Sequence, residues 1–296
     1  MKNKYEKKIE ELQKKVLEEE KKYEAEAEAI DLQIRKNMRD YDAQIGVINP
    51  LRHELRVEIR RLYDFLKGLG NIGKAINVFD FTVEDLAAND GGRLMQINKE
   101  DYSKPERKPG HPSNPFGIRK AIKYFSQRSK DKKAYFEMEN LLESTKCNLA
   151  NDIAKRTDRK NFYSTAAKIA DTYRCTLAMV KDAIDLTIIP ELSGIEAFLS
   201  AAAIKDCIIS NQDPRLAMPA KIDEFEGTLF DCHYIFVKNC VDFYTLIVNF
   251  FTKTVLTNIV GDEEITKQEQ ETFDDNVKKI SEASKHLKSL VKFGEA

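Results

Sequence analysis

The first seventy residues place an apolar side chain at every third or fourth position and contain almost no helix-breaking residue. Steps that alternate between four and three residues keep side chains on one stripe of an α-helix, and a stripe sustained over several heptads winds helices around each other. The pattern therefore predicts one long coiled-coil helix. The predicted stripe runs through Ile9, Leu12, Val16, Tyr23, Ile30, Ile34, Met38, Tyr41, Ile45, Ile48, Leu55, Ile59, Leu62, Leu66 and Leu69.

This stripe is weakest over its first forty residues. Two four-residue steps follow each other at Ile30, Ile34 and Met38, which predicts a local unwinding of the supercoil. Glu19 and Glu26 occupy expected core positions, so a helix this charged needs a partner helix for its stability. We therefore expect the partner-binding seam here. Its predicted residues are Ile9, Leu12, Val16, Tyr23, Ile30 and Ile34.

Pro50 interrupts the same segment, and a further polar residue, Arg52, falls on its stripe. Proline removes a backbone donor and clashes with the preceding turn, so it kinks or ends a helix. Asn49 before it would also serve as an N-cap of a new helix. The apolar register passes through Pro50 unchanged, which favours a kink over a hairpin.

Composition extends the helical interpretation to the whole chain. The 296 residues are 33% charged, with no Trp, twelve Gly and eight Pro, which is typical of helical proteins. We predict an all-α, elongated helical bundle with three parts along the sequence. Residues 1–70 form the coiled coil, 71–114 an irregular connector with a short helix and a basic, Pro-rich loop, and 115–296 a bundle of long helices.

Within the third part, breaks in the apolar period predict the helix boundaries. A very long helix, or two joined near residues 156–161, is expected from 115 to 189. Pro190 and Gly194 predict a break before a short apolar helix at 195–209. A core helix is expected to begin at Pro219 and to run to about residue 260, and a last one covers about 266–293.

The sequence offers no catalytic or metal-binding arrangement. Gly68, Gly70 and Gly73 spell G-x-G-x-x-G, but the residues before them are helical rather than strand-forming, so we interpret them as a helix end. Cys207, Cys232 and Cys240 with His233 lack metal-ligand spacing, so we expect buried, core-packing cysteines. We predict no enzyme, no cofactor, no metal site and no small-molecule substrate.

The strongest charged feature is a basic stretch over residues 99–133. Eleven Lys and Arg residues against four acidic ones give it a local charge of about +7, with aromatic residues interleaved. Such a stretch either binds phosphates of nucleic acid or of an anionic membrane, or pairs with the acidic coil around residues 18–28. The candidate anion-binding residues are Arg107, Lys108, Arg119, Lys120 and Lys123.

Compartment follows from the termini and the cysteines. The charged N-terminus predicts no secretory signal peptide, and the best candidate span, residues 234–260, is interrupted by Lys238, Asp242 and Lys253. Five cysteines, an odd number, fit a reducing compartment. We therefore predict a cytoplasmic protein.

Three functions remain open at this point. The first is a non-enzymatic coiled-coil scaffold or adaptor, which oligomerises with itself or docks another helical protein. The second is a membrane-active helical protein, because residues 186–209 place an apolar segment between two long helices. That order of elements is similar in outline to cytolysin-type α-helical pore formers. The third is nucleic-acid binding through residues 99–133.

Overall fold

The fold is an all-α helical bundle, as predicted. The computed structural model describes residues 4–70, 94–97, 99–103, 124, 132–252, 255–257 and 265–292. The first half of these residues contains α1 (Lys4–Leu69) and the short α2 (Lys99–Ser103). The second contains α3 (Lys132–Ala183), a π-helix (Ile184–Ile188), α4 (Ile189–Ile209), α5 (Asp231–Thr252) and α6 (Lys267–Lys292), with 3-10 turns at Pro214–Leu216, Ile222–Phe225 and Val255–Thr257.

The long N-terminal helix is continuous through its proline. Pro50 lies inside α1, so no hairpin forms there. Asn49 does not cap a new helix. Its side-chain oxygen accepts from the backbone N–H of Leu94 at 2.8 Å, and its amide donates to the Leu94 carbonyl at 3.0 Å. Asn49 therefore binds the backbone of Leu94 through both polar atoms of its side chain and holds this later segment against α1.

The break predicted at residues 189–194 is wrong. One α-helix spans Lys132–Ala183, and the helical path continues through the π-helix into α4. In the π-helix the N–H of Ile189 bonds back five residues to the Ile184 carbonyl. This shift places Pro190 in the first turn of α4, where a missing backbone donor costs little.

The helix predicted to begin at Pro219 begins twelve residues later, at Asp231. A 3-10 turn and the left-handed backbone of Gly227, with φ of 70°, occupy the intervening residues. The Asp231 carboxylate accepts the Gly227 N–H at 2.9 Å and so holds this turn against the helix start. The apolar pattern identified the buried face of α5, but it could not show that residues 219–230 are not part of the α-helix.

The predicted last helix is confirmed as α6. Its start is fixed by reciprocal bonds between Thr266 and Glu269, in which the Thr266 hydroxyl accepts the Glu269 N–H at 3.2 Å and the Glu269 carboxylate accepts the Thr266 N–H at 2.9 Å. This capping box satisfies two donors that a helix start otherwise leaves unpaired.

The chain divides into two compact units, each built from two stretches of sequence. Unit 1 comprises Met1–Tyr41 with Ile97–Ala167, and unit 2 comprises Asp42–Gln96 with Lys168–Ala296. The boundary falls inside both α1 and α3. The three-part division along the sequence stays a prediction.

Several predicted features lie outside the described residues. These are residues 71–93, 98 and 104–114 of the connector and residues 115–123 and 125–131 of the predicted long helix. Within the predicted loop, α2 shows that residues 99–103 are helical instead.

In unit 2 the core is rich in aromatic side chains. Phe243 and Phe251 are fully buried on α5, and Tyr173 of α3 stacks near Phe250 with ring centroids 4.9 Å apart. Phe250 in turn stacks on Phe273 of α6 at 5.6 Å. Such rings bury large apolar areas, which explains why α5, the most aromatic segment, lies at the centre.

Candidate partner-binding surfaces

The predicted seam of α1 is filled by the chain itself in unit 1. Ile9, Leu12 and Val16 are buried in one cluster with Ala134 and Met138 of α3. Ile34 is also buried, whereas Tyr23 and Ile30 are half-buried. The partner helix that the thin stripe requires is therefore present within the same chain. Whether the seam also meets another protein stays a prediction.

The polar positions of the stripe differ by one residue from the prediction. Glu20 and Ala27 are buried, and Glu26 is exposed. Glu19 is half-buried, and its carboxylate lies 3.9 Å from Lys146 of α3. In this register small Ala27 faces inward and Glu26 faces water, while the Glu20 side chain is buried.

Polar contacts align α1 with α3 in unit 1. Tyr23 donates to the Asp152 carboxylate at 2.6 Å. Arg156 bridges this carboxylate, at 2.6 Å, and that of Asp31, at 2.5 Å. Further along, the Asn37 amide donates to the Lys160 carbonyl at 3.2 Å. Residue numbers rise together along both helices, so the two helices run parallel in this unit.

The electrostatic environment of this network shifts two pKa values. The hydrogen bonds from Arg156 and then from Tyr23 lower the pKa of Asp152 below its usual value. Burial, followed by the bond to Asp152, raises the pKa of Tyr23. Both shifts favour the ionised carboxylate and the neutral phenol, which is the pairing that the geometry shows.

Sequence reasoning missed these partners. The hydrogen bond between Tyr23 and Asp152 joins residues 129 positions apart, and no local pattern links them. Parallel neighbours need a long return connection, which the 62 residues from 70 to 131 provide. The length of the connector was the one available signal for parallel pairing.

A second stripe of α1 in unit 1 faces outward. Its apolar members are Leu17, Ala25, Ala29 and Leu32, all exposed, with the two leucines 39% and 50% exposed. At about 100° per residue, the mean direction of these four residues lies about 170° around the helix axis from that of the buried seam. The alanines between the leucines leave room for close approach of another backbone.

Acidic residues surround this outer stripe. Residues 17–32 contain seven acidic and two basic side chains, so their local charge is −5. Glu20 is buried, and Glu19 and Asp31 lie beside Lys146 and Arg156 of α3, so four acidic residues against two basic ones leave the outer face a charge of −2. The surface therefore combines four exposed apolar side chains with a modestly negative flank, which is the reverse of the basic flank that anionic partners need.

Unit 2 carries a different exposed surface, which we call the apolar tip: residues 208, 209, 216 and 218. Ile208 and Ile209 end α4 and are 62% and 69% exposed, and Leu216 and Met218 in the following turns are 78% and 82% exposed. The sequence predicts a short apolar helix at 195–209, which is the C-terminal part of α4. Its inner face is buried through Leu199 and Ala203, and the aliphatic residues at its end face outward.

The turns that carry the apolar tip are ordered by specific bonds. Asn211 adopts a left-handed conformation with φ of 55° and ends the helix. The Gln212 N–H bonds to the Cys207 carbonyl at 2.8 Å, and the Asp213 carboxylate accepts the Arg215 N–H at 3.0 Å. The Ala220 N–H then returns to the Leu199 carbonyl at 3.4 Å. The aliphatic side chains are thus held outward by a defined backbone.

Arg52, the third polar position of the predicted stripe, is buried in unit 2. Its guanidinium donates to the Tyr173 hydroxyl and, at 2.9 Å, to the Phe251 carbonyl. The guanidinium carbon also lies 3.9 Å from the centre of the Phe251 ring. Burial raises the pKa of Tyr173, and the neighbouring Arg52 charge opposes that rise. This arrangement is structural: every contact satisfies a buried group.

The remaining predicted sites have mixed outcomes. Arg107, Lys108, Arg119, Lys120 and Lys123 lie outside the described residues, so anion binding there stays a prediction. Within the part of the chain that the structure describes, no cluster of three or more potential metal ligands occurs.

The prediction of core-packing cysteines holds for one position. Cys240 is buried, whereas Cys207 is half-buried and Cys232 is exposed. Burial raises the pKa of the Cys240 thiol well above its usual value, so it remains protonated and apolar. Cys232 lies in the first turn of α5, before the buried face of that helix begins.

The glycine motif marks a helix end, as predicted. α1 ends at Leu69, and a Cβ added to Gly70 would lie 2.6 Å from an Asp223 carboxylate oxygen. A side chain at position 70 would therefore require the Asp223 carboxylate in the 3-10 turn of unit 2 to move.

One helix among the described residues, α5, has the length and apolar composition to cross a membrane. α5 is also a core helix, since ten of its side chains are buried.

No protein-family profile, no curated protein and no solved structure matches this chain.

Proposed function

We propose that this protein is a non-enzymatic helical adaptor that docks a basic amphipathic helix on the outer stripe of α1. The observation that carries the proposal is the set of exposed apolar side chains of Leu17, Ala25, Ala29 and Leu32, on a face whose charge is −2 once the carboxylates turned toward α3 are left out. Two leucines about four turns apart, with small alanines between them, form an apolar surface on which a partner helix can pack.

The pairing inside unit 1 supports this role. Since α3 covers the seam of α1, the outer stripe is free to serve another helix without opening the core. The Tyr23, Asp152, Arg156 and Asp31 contacts fix the register of the pair, and polar contacts of this kind specify alignment more than they add stability. A support of fixed register presents its outer face reproducibly.

The negative flank selects the chemistry of the partner. A helix with Lys or Arg beside its apolar stripe gains attraction and faster association, whereas an acidic helix is repelled. We assign the partner to another protein, with a second copy of this chain as the competing outcome.

The test uses the full chain and two synthetic helical peptides with identical leucine spacing, one Lys-rich and one Glu-rich. Fluorescence anisotropy should show binding of the Lys-rich peptide alone, weakening as salt is raised. The double variant Leu17→Glu, Leu32→Glu should lose at least about tenfold in affinity, because both apolar contacts are removed.

The matched control is Val47→Glu, Val57→Glu, which changes two exposed valines of the same helix in unit 2. It should bind as the natural chain does. Equal binding of the two peptides, or an unchanged affinity of the Leu17, Leu32 variant, would overturn the proposal. Sedimentation equilibrium separates the competing outcome: a dimer abolished by the same variant would make the partner a second copy.

A further inference from the structure

We propose that the apolar tip of unit 2 docks on the surface of a zwitterionic lipid bilayer. This surface consists of Ile208, Ile209, Leu216 and Met218 and shares no residue with the outer stripe of α1. Four large aliphatic side chains, each more than 60% exposed, are held outward within twelve residues. Exposed apolar groups gathered in this way mark interaction surfaces.

The shape of the apolar tip favours a bilayer over a protein. Leu216 ends the 3-10 turn Pro214–Leu216, and Met218 lies in the irregular segment before Pro219, so these two residues form neither a helix stripe nor a strand edge. At 78% and 82% exposure these two side chains protrude, so a protein partner would need a separate pocket for each. The acyl region of a bilayer accepts protruding side chains of any shape.

The charge of the apolar tip favours zwitterionic lipid. Residues 208–219 contain one acidic and one basic side chain, Asp213 and Arg215, so their net charge is zero. Over the wider segment 204–230 three basic residues face five acidic ones, a charge of −2. An anionic surface would be repelled slightly, whereas a neutral bilayer receives the aliphatic side chains without an electrostatic cost.

Because hydrogen bonds already order this backbone, docking should lose little conformational entropy. The Asp213 cap, the Gln212 bond to Cys207 and the Ala220 return to Leu199 fix the backbone before contact. The aliphatic side chains therefore enter the interface without ordering a loop at that moment. Only the side chains of the apolar tip enter the bilayer surface, and α5 remains in the core.

The absence of Trp from the chain permits a direct test. In the full-length Met218→Trp variant, phosphatidylcholine vesicles should shift the single tryptophan emission to the blue. In Leu186→Trp, at an equally exposed position on the π-helix, they should leave it unchanged. Equal shifts, or none at Met218→Trp, would overturn the proposal.

Flotation with phosphatidylcholine vesicles provides the second measurement. Leu216→Gln, Met218→Gln should reduce the bound fraction by at least about tenfold, and the control Val57→Gln, Leu186→Gln should leave it unchanged. Binding should persist in high salt. Binding that requires anionic lipid and disappears in salt would assign the contact to basic residues elsewhere and would overturn the role of the apolar tip, as would self-association abolished by the Leu216, Met218 variant.

Discussion

The two compact units hold the same two long helices together by different means. In unit 1, α1 and α3 meet through a thin apolar cluster and a half-buried network of Tyr23, Asp152, Arg156 and Asp31. In unit 2, the two helices pack against α5 and α6 in an aromatic core, where Arg52 satisfies buried oxygens.

The polar contacts of unit 1 therefore mainly align α1 with α3, whereas the aromatic core of unit 2 mainly stabilises the fold. Half-buried polar pairs give directional contacts but modest net free energy, whereas buried aromatic area gives stability without a unique alignment. We therefore expect local unfolding of unit 1 to require less free energy than local unfolding of unit 2. The outer stripe of α1 then belongs to the less stable unit, and the apolar tip to the more stable one. The predictions below test this comparison from the largest effect to the smallest.

The largest effect is expected from Phe243→Ala, which empties a fully buried site of unit 2. Loss of a buried Phe side chain costs about 3–5 kcal/mol, part of it from the remaining cavity. Its unit 1 counterpart, Met138→Ala, should fall near the lower end of about 2–5 kcal/mol, because a two-helix cluster collapses more easily. Urea unfolding followed by hydrogen exchange measures both, with protection lost mainly in the altered unit. Equal losses in both units would contradict the comparison.

Arg52→Leu should be next in size. It leaves the Tyr173 hydroxyl and the Phe251 carbonyl without their charged donor, at about 1–3 kcal/mol for each group left unpaired. Arg60→Leu, an exposed position of the same helix, is the matched control and should change the free energy of unfolding by less than about 0.5 kcal/mol. A stabilised Arg52→Leu protein would show that apolar packing outweighs these bonds.

The two units should respond to opposite ends of the pH scale. The pKa of Asp152 is lowered in the folded chain, so its contribution is present above the unfolded value of 3.8 and is lost as pH falls through the folded one. Burial raises the pKa of Tyr244 in unit 2 to about 12, so its contribution is present below 10.0 and is lost as pH rises toward 12.

Asp152→Asn should therefore reduce the acid sensitivity of unit 1, and Tyr244→Phe the alkaline sensitivity of unit 2. Tyr23, whose pKa is also raised, adds a smaller alkaline loss in unit 1 that Tyr23→Phe would remove. Hydrogen exchange across pH, corrected for its intrinsic rate, reports each unit separately. If Asp152→Asn leaves the acid limb of unit 1 unchanged, its network does not hold the helices together.

The smallest effect is expected from Lys146→Ala. Its ammonium lies 3.9 Å from the Glu19 carboxylate, and both side chains are partly in contact with water. Such surface pairs contribute between zero and about 1 kcal/mol. A loss above this range by thermal unfolding would mean that unit 1 depends on its surface charges more than on its apolar cluster.

The local sequence pattern was sufficient to predict the helical class, the extent of α1 and α6 and the apolar faces, because heptad spacing and capping residues act within a few turns. It identified Ile9, Leu12 and Val16 as a seam that needs a helix, and it marked Gly70 as a helix end. These features depend on local geometry, in which every i, i+3 or i+4 neighbour is fixed by the backbone.

The folded structure was needed to show what covers each face. It placed α3 parallel to α1, paired Tyr23 with Asp152, and carried the helix past Pro190 by the π-helix, since a shift of one bonding register leaves no mark in the apolar period. It also showed that Leu17 and Leu32 on α1, and Leu216 and Met218 beyond α4, remain exposed. Burial depends on neighbours distant in sequence, so an apolar pattern shows that a face exists and the fold decides whether a partner can still reach it.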